Sequence, residues 1–275
     1  MLNYYIKIEI KYNRDKPLYI VYTIPMPPRT VTVLKSSYVE EDENATLMNE
    51  SSHTPPVTSN CIYYEIGVDE AGRGPMLGRV YASAVVLPKS MEHFNHALMK
   101  DSKKFHSEKK IKEVAAYIKE RAIAWSVQYC NEDVIDKINI RNATHQAMHA
   151  AIRDVLEQLT LKANGEAEHK ILLLVDGNDF TPFLDSSSLT GEKVLHVCIE
   201  GGDNTYSCIA AASILAKVSR DAYIAELCTV HPTLQEHYGI LKNKGYGTQI
   251  HMEGIKQHGI TPFHRKSFGI CRTFT

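Results

Sequence analysis

The stretch GVDEAGRGPMLG, residues 67–78, places two adjacent carboxylates directly before an arginine that is bracketed by glycines. It follows the apolar run IYYEI, so Asp69 and Glu70 stand at the end of a predicted strand. The next run, GRVYASAVVL, predicts a second strand that is joined to the first through the glycine loop. Because two neighbouring acids at the edge of a core are costly to desolvate, the pair indicates a function.

The composition sets limits on the fold and on the class of partner. The chain has 275 residues, 44% of them hydrophobic, which favours one folded domain with an appendage. A net charge of -1 gives no global sign of nucleic-acid binding, although a local basic groove is compatible with it. No apolar run is long enough to span a bilayer, so we expect no membrane partner. Six scattered cysteines without a C-x-x-C pair predict reduced thiols and a cytoplasmic protein.

The chain has three regions of different composition. Residues 1–38 predict a β-rich appendage, because the runs YYIKIEIKY and LYIVYTI flank a turn-like NRDKP. Residues 39–60 are acidic, polar and interrupted by prolines, which is typical of a linker. Residues 61–275 predict the main domain. The appendage is compatible with a partner-binding role or with an extra hairpin on the main domain.

The main domain alternates strand and helix patterns, which predicts an α/β sheet with helices packed on it. KILLLVDG is continuously apolar and predicts a central strand buried on both faces. Ser107 is a predicted N-cap for the first helix, and Asp203 or Asn204 for the third. Further strands are predicted in RAIAWSVQY and VLHVCIE, and helices in SEKKIKEVAAYIKE, NATHQAMHAAIRDVLEQL and SCIAAASILAKVSRDAYIAEL.

Acids stand at the ends of several of these strands. Asp69 and Glu70 end one strand, Asp176 ends another, and Asp203 lies between a strand and a helix. Because ligand sites of α/β sheets lie at strand ends, we expect the four carboxylates to converge. Their repulsion is relieved by divalent cations such as magnesium or manganese, which suits phosphodiester hydrolysis. The residues alone leave two alternatives open: helix caps or surface charges, and the paired carboxylates of a glycosidase.

The glycine loop and the basic segments have both structural and ligand-binding interpretations. The loop matches neither the Walker A pattern nor the dinucleotide fingerprint. It is either a tight turn or a place where backbone approaches a sugar–phosphate chain, with Arg73 adding charged hydrogen bonds. Downstream segments each suit a solvated surface, but together offer phosphate ligands and a stacking ring. They comprise Ser102, Lys103 and Lys104 in DSKKF, Lys217 and Arg220 in the third helix, Tyr246 in NKGYGT, and His264, Arg265 and Lys266 in HRKSF.

Taken in chain order, these blocks resemble ribonuclease HII, the type 2 ribonuclease H, across about residues 63–270. They are GVDEAGRGPMLG, DSKKF, VDGN, GGD, AAASILAKVSRD, NKGYGT and HGITPFHRKSF. VDGN and NKGYGT are similar to the bacterial-type branch, and DEAGRG argues against ribonuclease HIII. The resemblance implies a ribonuclease H-like mixed sheet flanked by helices, with a C-terminal helical extension. It also implies hydrolysis of RNA in RNA–DNA hybrids and incision 5′ of ribonucleotides in duplex DNA, leaving 3′-hydroxyl and 5′-phosphate ends.

The resemblance assigns roles to residues at matching motif positions and implies two divalent ions, Mg²⁺ or Mn²⁺, in a protein expected to be monomeric. The implied catalytic metal ligands are Asp69, Glu70, Asp176 and Asp203. Asp179 and Asp221 are nearby rivals for the fourth position, and Asp221 is interpreted as structural. The implied substrate contacts are Gly72, Arg73 and Gly74 at the ribonucleotide, Tyr246 at the adjoining sugar, and Ser102, Lys103, Lys217 and Arg220 at backbone phosphates. A binder that has the fold but lacks activity is the alternative of a different class.

Overall fold

The computed structural model describes residues 8–10, 20–22, 33–38, 62–162, 169–184 and 193–274. The chain divides into two compact units, Met1–Thr32 and Val33–Thr275. In the first unit β1 (Ile8–Ile10) pairs antiparallel with β2 (Ile20–Tyr22), and both lie in the runs predicted as strands. The next six residues, 33–38, which the predicted appendage included, lie in the larger unit. The linker predicted at residues 39–60 lies outside the described residues.

The larger unit is built on a five-stranded mixed sheet, as predicted. Its strands are β3 (Ile62–Ala71), β4 (Val80–Val86), β5 (Ala124–Cys130), β6 (His169–Asp176) and β7 (Leu195–Ile199). The order across the sheet is β5-β4-β3-β6-β7, with β3, β4 and β5 antiparallel and β3, β6 and β7 parallel. The predicted buried strand is β6, whose residues Leu172–Val175 are enclosed on both faces. The middle position belongs to β3, which carries the acid pair.

Helices cover both faces of the sheet and extend beyond it at the C-terminal side. They are α1 (Glu108–Arg121), α2 (Glu132–Lys162), α3 (Ser207–Val230), α4 (Thr233–Tyr238), α5 (Ile240–Asn243) and α6 (Gln249–His258). One core lies between the sheet and α2, and a second joins the opposite face to α1 and α3. A third core packs the end of α3 against α4, α5 and α6, which form the helical extension.

The helix predictions agree with the structure in type, and the predicted start is wrong only for α2. The side chain of Ser107 caps α1, as expected, by accepting a hydrogen bond from the amide of Lys110. The helix α2 begins ten residues ahead of the predicted segment, capped by Asn131, and is kinked at Asn139, where φ is 65°. Neither Asp203 nor Asn204 caps α3. Both lie in a preceding 3₁₀ turn, Gly202–Asn204, and the cap position belongs to Tyr206.

The segment Val33–Tyr38, called the strap below, lies along the start of α3. Lys35 donates its amide to the carbonyl of Thr205 and accepts from the amide of Ser207, both at 2.9 Å. The far end of the strap is fixed to buried Glu65, whose carboxylate accepts from the Ser37 hydroxyl at 2.7 Å and the Tyr38 amide at 2.8 Å. The amide of Ser207, at the start of α3, has no side-chain cap. The strap provides its hydrogen-bond acceptor instead.

Two further expectations concern the whole chain. None of the helices in the described part of the chain is both long and apolar enough to cross a membrane. The cysteines that the structure describes are free thiols: Cys130, Cys198, Cys208, Cys228 and Cys271. Burial raises the pKa of Cys208 to about 12, so this thiol stays protonated at neutral pH.

The close packing of α3 on the sheet depends on Gly67. A Cβ atom at this position would overlap the backbone of Cys208 and Ile209 in α3. Since backbone cannot move aside as a flexible side chain does, Gly67 sets the distance between the helix and β3, two residues ahead of Asp69.

We predict that Gly67→Ala lowers the free energy of unfolding by at least about 3 kcal/mol, the upper end of overpacking costs. The matched control is Gly201→Ala, which introduces left-handed backbone strain at φ 65° where nothing lies within 4 Å of the new Cβ. It should cost only about 1–2 kcal/mol. Urea denaturation of both variants measures the difference, and equal losses would contradict the packing argument.

Candidate active site

Parallel pairing brings the strand-end acids to one edge of the sheet. Val68 of β3 pairs with Val175 of β6. The next residue on each strand, Asp69 and Asp176, therefore lies at the same level of the sheet. Asp203 reaches the same edge from the 3₁₀ turn after β7, and its side chain is buried. The acid pair lies within β3 and does not follow it, because the pairing with β4 continues to Ala71.

The site raises the proton affinity of its acids. Burial, and next the charges of Glu70 and Asp176, hold the pKa of Asp69 well above its ordinary value. Burial also raises the pKa of Glu70, although the cation of Arg73 opposes the rise. The pKa of Asp203 is raised by burial and then by the charge of Asp176. The carboxylates therefore lie within mutual electrostatic range in a poorly hydrated site, which is the condition that a bound cation relieves.

Backbone and side-chain donors hold each acid in place. The amide of Gly202 donates to Asp176 Oδ1 at 2.7 Å, which ties β6 to the turn that carries Asp203. Asn204 donates to Asp203 Oδ1 at 2.8 Å. The amide of Glu70 donates to Asp69 Oδ1 at 2.6 Å. Within the described residues, no three Asp, Glu, His or Cys side chains form a ready-made metal cage.

A cleft of about 520 Å³ opens above the acids. Its walls combine three of the carboxylates with glycines, cations and one aromatic ring. Among its lining residues are Asp69, Glu70, Asp176, Gly72, Arg73, Gly74, Ser102, Lys103, Lys217, Arg220 and Tyr246. The structure thus brings all the predicted substrate contacts to one cleft with three of the four predicted ligands. Asp203 lies behind Asp176 and does not line it.

The backbone of the glycine loop is bound by Arg265, a residue that the sequence suggested as a phosphate ligand. Its guanidinium is fully buried and donates to the carbonyls of Gly72 at 2.6 Å, Arg73 at 2.9 Å, Pro75 at 2.7 Å and Gly78 at 2.8 Å. Burial lowers its pKa, and the four carbonyl dipoles compensate the buried charge. Arg265 therefore has a structural role, and its donors do not face the cleft.

Comparison with known proteins identifies the family to which this fold and cleft belong. A family model for Ribonuclease HII matches residues 66–271. The chain belongs to the ribonuclease HII family. The ribonuclease HII of Parabacteroides distasonis is 46% identical over 204 residues, covering 74% of this chain and 89% of the relative. The residues ahead of position 66 lie outside the family match.

Solved structures agree on the fold. Ribonuclease H2 from Pyrococcus horikoshii superposes with a TM-score of 0.58 at 22% identity, covering 77% of this chain and 96% of that chain. Bst-RNase HIII in complex with Mn²⁺ superposes with a TM-score of 0.50 at 20% identity, covering 73% and 64%. The mixed sheet is therefore ribonuclease H-like, as predicted. Family membership makes this ribonuclease HII chain an endoribonuclease acting on RNA–DNA hybrids, which sets aside the glycosidase alternative.

Two further residues that the sequence suggested as phosphate ligands, Arg220 and His264, are buried and bond within the protein. Arg220 is buried and donates to the carbonyls of Leu77 at 3.3 Å, Lys244 at 2.9 Å and Arg79 at 3.3 Å. It joins α3 to the glycine loop and also lines the cleft, so its predicted phosphate contact stays a prediction. His264 is buried in the third core and donates nothing to the cleft. Lys266 is exposed and stays a candidate.

The remaining predicted contacts have hydrogen-bonding partners within the protein. The hydroxyl of Ser102 lies 3.0 Å from that of Ser213, whose side chain bonds Asp69. Lys217 pairs with Asp221, four residues further along α3. Ser102 is therefore linked through Ser213 to Asp69, and Lys217 also lines the cleft.

The rival acids are accounted for elsewhere. Asp221 holds Lys217, in agreement with its structural interpretation. Asp179 forms a two-pronged pair with Arg141, with 2.6 Å between Asp179 Oδ1 and Arg141 Nη2. Its hydrogen bond to Arg141 lowers the pKa of Asp179, whereas the pKa of Asp203 is raised within the acid cluster. The contrast favours Asp203 as the fourth acid of the site.

We predict that Arg265→Lys lowers the free energy of unfolding by about 3 kcal/mol or more, because one ammonium cannot serve four dispersed carbonyls. Arg141→Lys is the matched control. It alters an exposed ion pair and should cost less than about 1 kcal/mol. Denaturant unfolding monitored by circular dichroism measures both, and a loss below 1 kcal/mol for Arg265→Lys would contradict the scaffold role.

Proposed function

We propose that this ribonuclease HII also incises duplex DNA on the 5′ side of an embedded ribonucleotide, leaving 3′-hydroxyl and 5′-phosphate ends. One observation carries the proposal: a single cleft is lined by Asp69, Glu70 and Asp176, by the glycine loop and by the exposed ring of Tyr246. An enzyme of this kind must recognise one 2′-hydroxyl and cut beside it, so its sugar-binding and phosphate-cleaving groups must be adjacent.

The glycine loop and Tyr246 form the sugar-binding part of the cleft. A Cβ atom on Gly74 would lie 3.3 Å from Cε1 of the Tyr246 ring, so the bare backbone and the ring pack directly together. The Tyr246 side chain is 50% exposed, which leaves ring surface for a sugar. Backbone groups of Gly72, Arg73 and Gly74 recognise the 2′-hydroxyl in this proposal. The ring then accepts a deoxyribose on the next nucleotide and crowds a ribose there.

The acids suit two divalent cations, Mg²⁺ or Mn²⁺. All four proposed ligands, Asp69, Glu70, Asp176 and Asp203, offer hard carboxylate oxygens, and three have raised pKa values that reflect burial and mutual repulsion. When bound, such ions activate water and stabilise the leaving oxygen of a phosphodiester. The hydrogen bonds from Gly202 to Asp176 and from Asn204 to Asp203 keep these two carboxylates oriented.

Cations around the acids supply the phosphate contacts. Lys103 lowers the pKa of both Glu70 and Asp203, so its ammonium lies within electrostatic range of both. It is positioned to hold the phosphate that is cut. Lys217 and Arg73 lie at other points of the cleft wall and bind flanking phosphates.

The test of this function is incision of a DNA duplex with one embedded ribonucleotide, in the presence of Mg²⁺ or Mn²⁺. We expect one cut, 5′ of the ribonucleotide, with product ends established by ligation and phosphatase treatment. Asp176→Asn should reduce the rate at least about a hundredfold, because it removes a charged ligand, while hybrid binding persists. Asp179→Asn is the control and should keep the rate within a few-fold. Hybrid binding by clean wild-type protein without any cutting would instead establish a non-catalytic binder.

We predict that Tyr246→Ala lowers kcat/KM about tenfold or more on a single embedded ribonucleotide, the worth of one stacking contact. Its effect on a continuous RNA–DNA hybrid should be smaller, because there the position beside the ring holds a ribose. Tyr246→Phe keeps the ring and should preserve the ratio of the two activities. Equal losses on both substrates in Tyr246→Ala would contradict the junction role.

A further inference from the structure

A buried pair of histidines in the helical extension is bonded to the backbone of Tyr246. His251 of α6 and His264 are both fully buried, and their Nε2 atoms lie 3.0 Å apart. At one end of the pair, His264 Nδ1 accepts from the amide of Thr261 at 2.9 Å. At the other end, His251 Nδ1 lies 3.0 Å from the carbonyl oxygen of Tyr246. The chain of bonds thus runs from Thr261 to Tyr246.

Only one arrangement of protons satisfies every bond in this chain. The amide of Thr261 can only donate, so His264 Nδ1 carries no proton and His264 Nε2–H donates to His251. His251 Nε2 therefore accepts, and its proton lies on Nδ1. From there it donates to the carbonyl of Tyr246, which can only accept. Both rings are neutral in this arrangement.

The burial of the pair keeps the rings in this neutral form. Burial, and next the proximity of His251, lowers the pKa of His264 to about 3. Burial also lowers the pKa of His251. A second proton would place two N–H groups against each other at the Nε2 contact, which the low proton affinity prevents near neutral pH.

The peptide of Tyr246 depends on this bond because its neighbours give it little rigidity. Tyr246 stands between Gly245 and Gly247, and glycine does not restrict the backbone. Its amide donates to the carbonyl of Asn243 at 2.9 Å. Its carbonyl accepts from the amide of Thr248 at 2.8 Å and from His251. Of these partners, His251 is a fully buried side chain of α6, so it fixes the carbonyl of Tyr246 to that helix.

We propose that His251 and His264 are positioning residues that set the preference for a ribonucleotide–deoxyribonucleotide junction. They do so by holding the peptide of Tyr246 so that its ring packs against Gly74. Neither histidine touches the substrate in this proposal. The inference rests on the proposed function, since it concerns the role of Tyr246 in that cleft.

A matched pair of substitutions at residue 251 separates the bond to Tyr246 from the bond to His264. The amide nitrogen of Asn occupies roughly the place of histidine Nδ1, so His251→Asn keeps a donor for the Tyr246 carbonyl. The amide of Gln reaches the place of Nε2, so His251→Gln keeps the contact with His264 and loses that donor. Both variants replace a buried ring by a neutral amide, so we expect similar losses of folding stability from both.

The measurement is the ratio of kcat/KM on a single-ribonucleotide duplex to kcat/KM on a continuous hybrid. We expect His251→Gln to lower this ratio about tenfold, the worth of one buried hydrogen bond, and His251→Asn to keep it within about threefold. An unchanged ratio in His251→Gln would overturn the inference, as would equal loss in both variants. A wild-type protein that fails to incise the single-ribonucleotide duplex would instead overturn the proposed function.

Nitrogen-15 NMR of the wild-type protein provides a test that does not depend on the folding of variants. Imidazole nitrogen shifts distinguish a protonated from a bare ring nitrogen. We expect His251 protonated at Nδ1 and His264 protonated at Nε2 at pH 7. The opposite tautomer at His251 would remove the donor to Tyr246 and overturn the inference.

Discussion

The shape of the candidate active site depends on the hydrogen bonds that the guanidinium of Arg265 donates. A charged group without access to water is tolerated only when its donors are satisfied, and here four carbonyls of the glycine loop satisfy them. Their oxygens accept from the cation, so the backbone of the loop has a defined shape. Arg220 repeats the device from α3, through the carbonyls of Leu77, Arg79 and Lys244. The shape of the glycine loop therefore depends on α3 and on the segment after α6, which both lie far later in the sequence.

The sequence predicted the convergence of the acids for a sound physical reason. Parallel strands end at one edge of a sheet, so acids that follow buried strands must meet there. This argument found Asp69, Glu70 and Asp176 without reference to any relative, and the sheet register agrees with it. The same argument expected Asp203 at this edge, and the family resemblance then chose it over its rivals Asp179 and Asp221. The α/β class and the helix faces were likewise predictable from apolar periodicity.

The roles of the cations could not be predicted in the same way. Arginine is a residue type that commonly binds phosphate, but Arg265 and Arg220 donate to backbone carbonyls. No pattern in the sequence indicates which carbonyls a side chain will contact. His264 and His251 are thirteen residues apart, and only the fold brings their rings together. The start of α2 was missed for a different reason: Asn131 is a recognisable cap, but the left-handed Asn139 interrupts the apolar pattern that follows it.

The strap has a mechanical consequence for the chain ahead of it. The family match begins at residue 66, whereas the compact unit begins at Val33, so the strap is an addition that the folded unit has incorporated. Its hydrogen bonds grip Thr205 and Ser207, which follow Asp203 by two and four residues. A pulling force applied to the chain at Val33 is therefore carried first by the turn of Asp203, a proposed metal ligand, and only afterwards by the sheet at Glu65. The strap thus connects the chain at Val33 mechanically to the turn that carries Asp203.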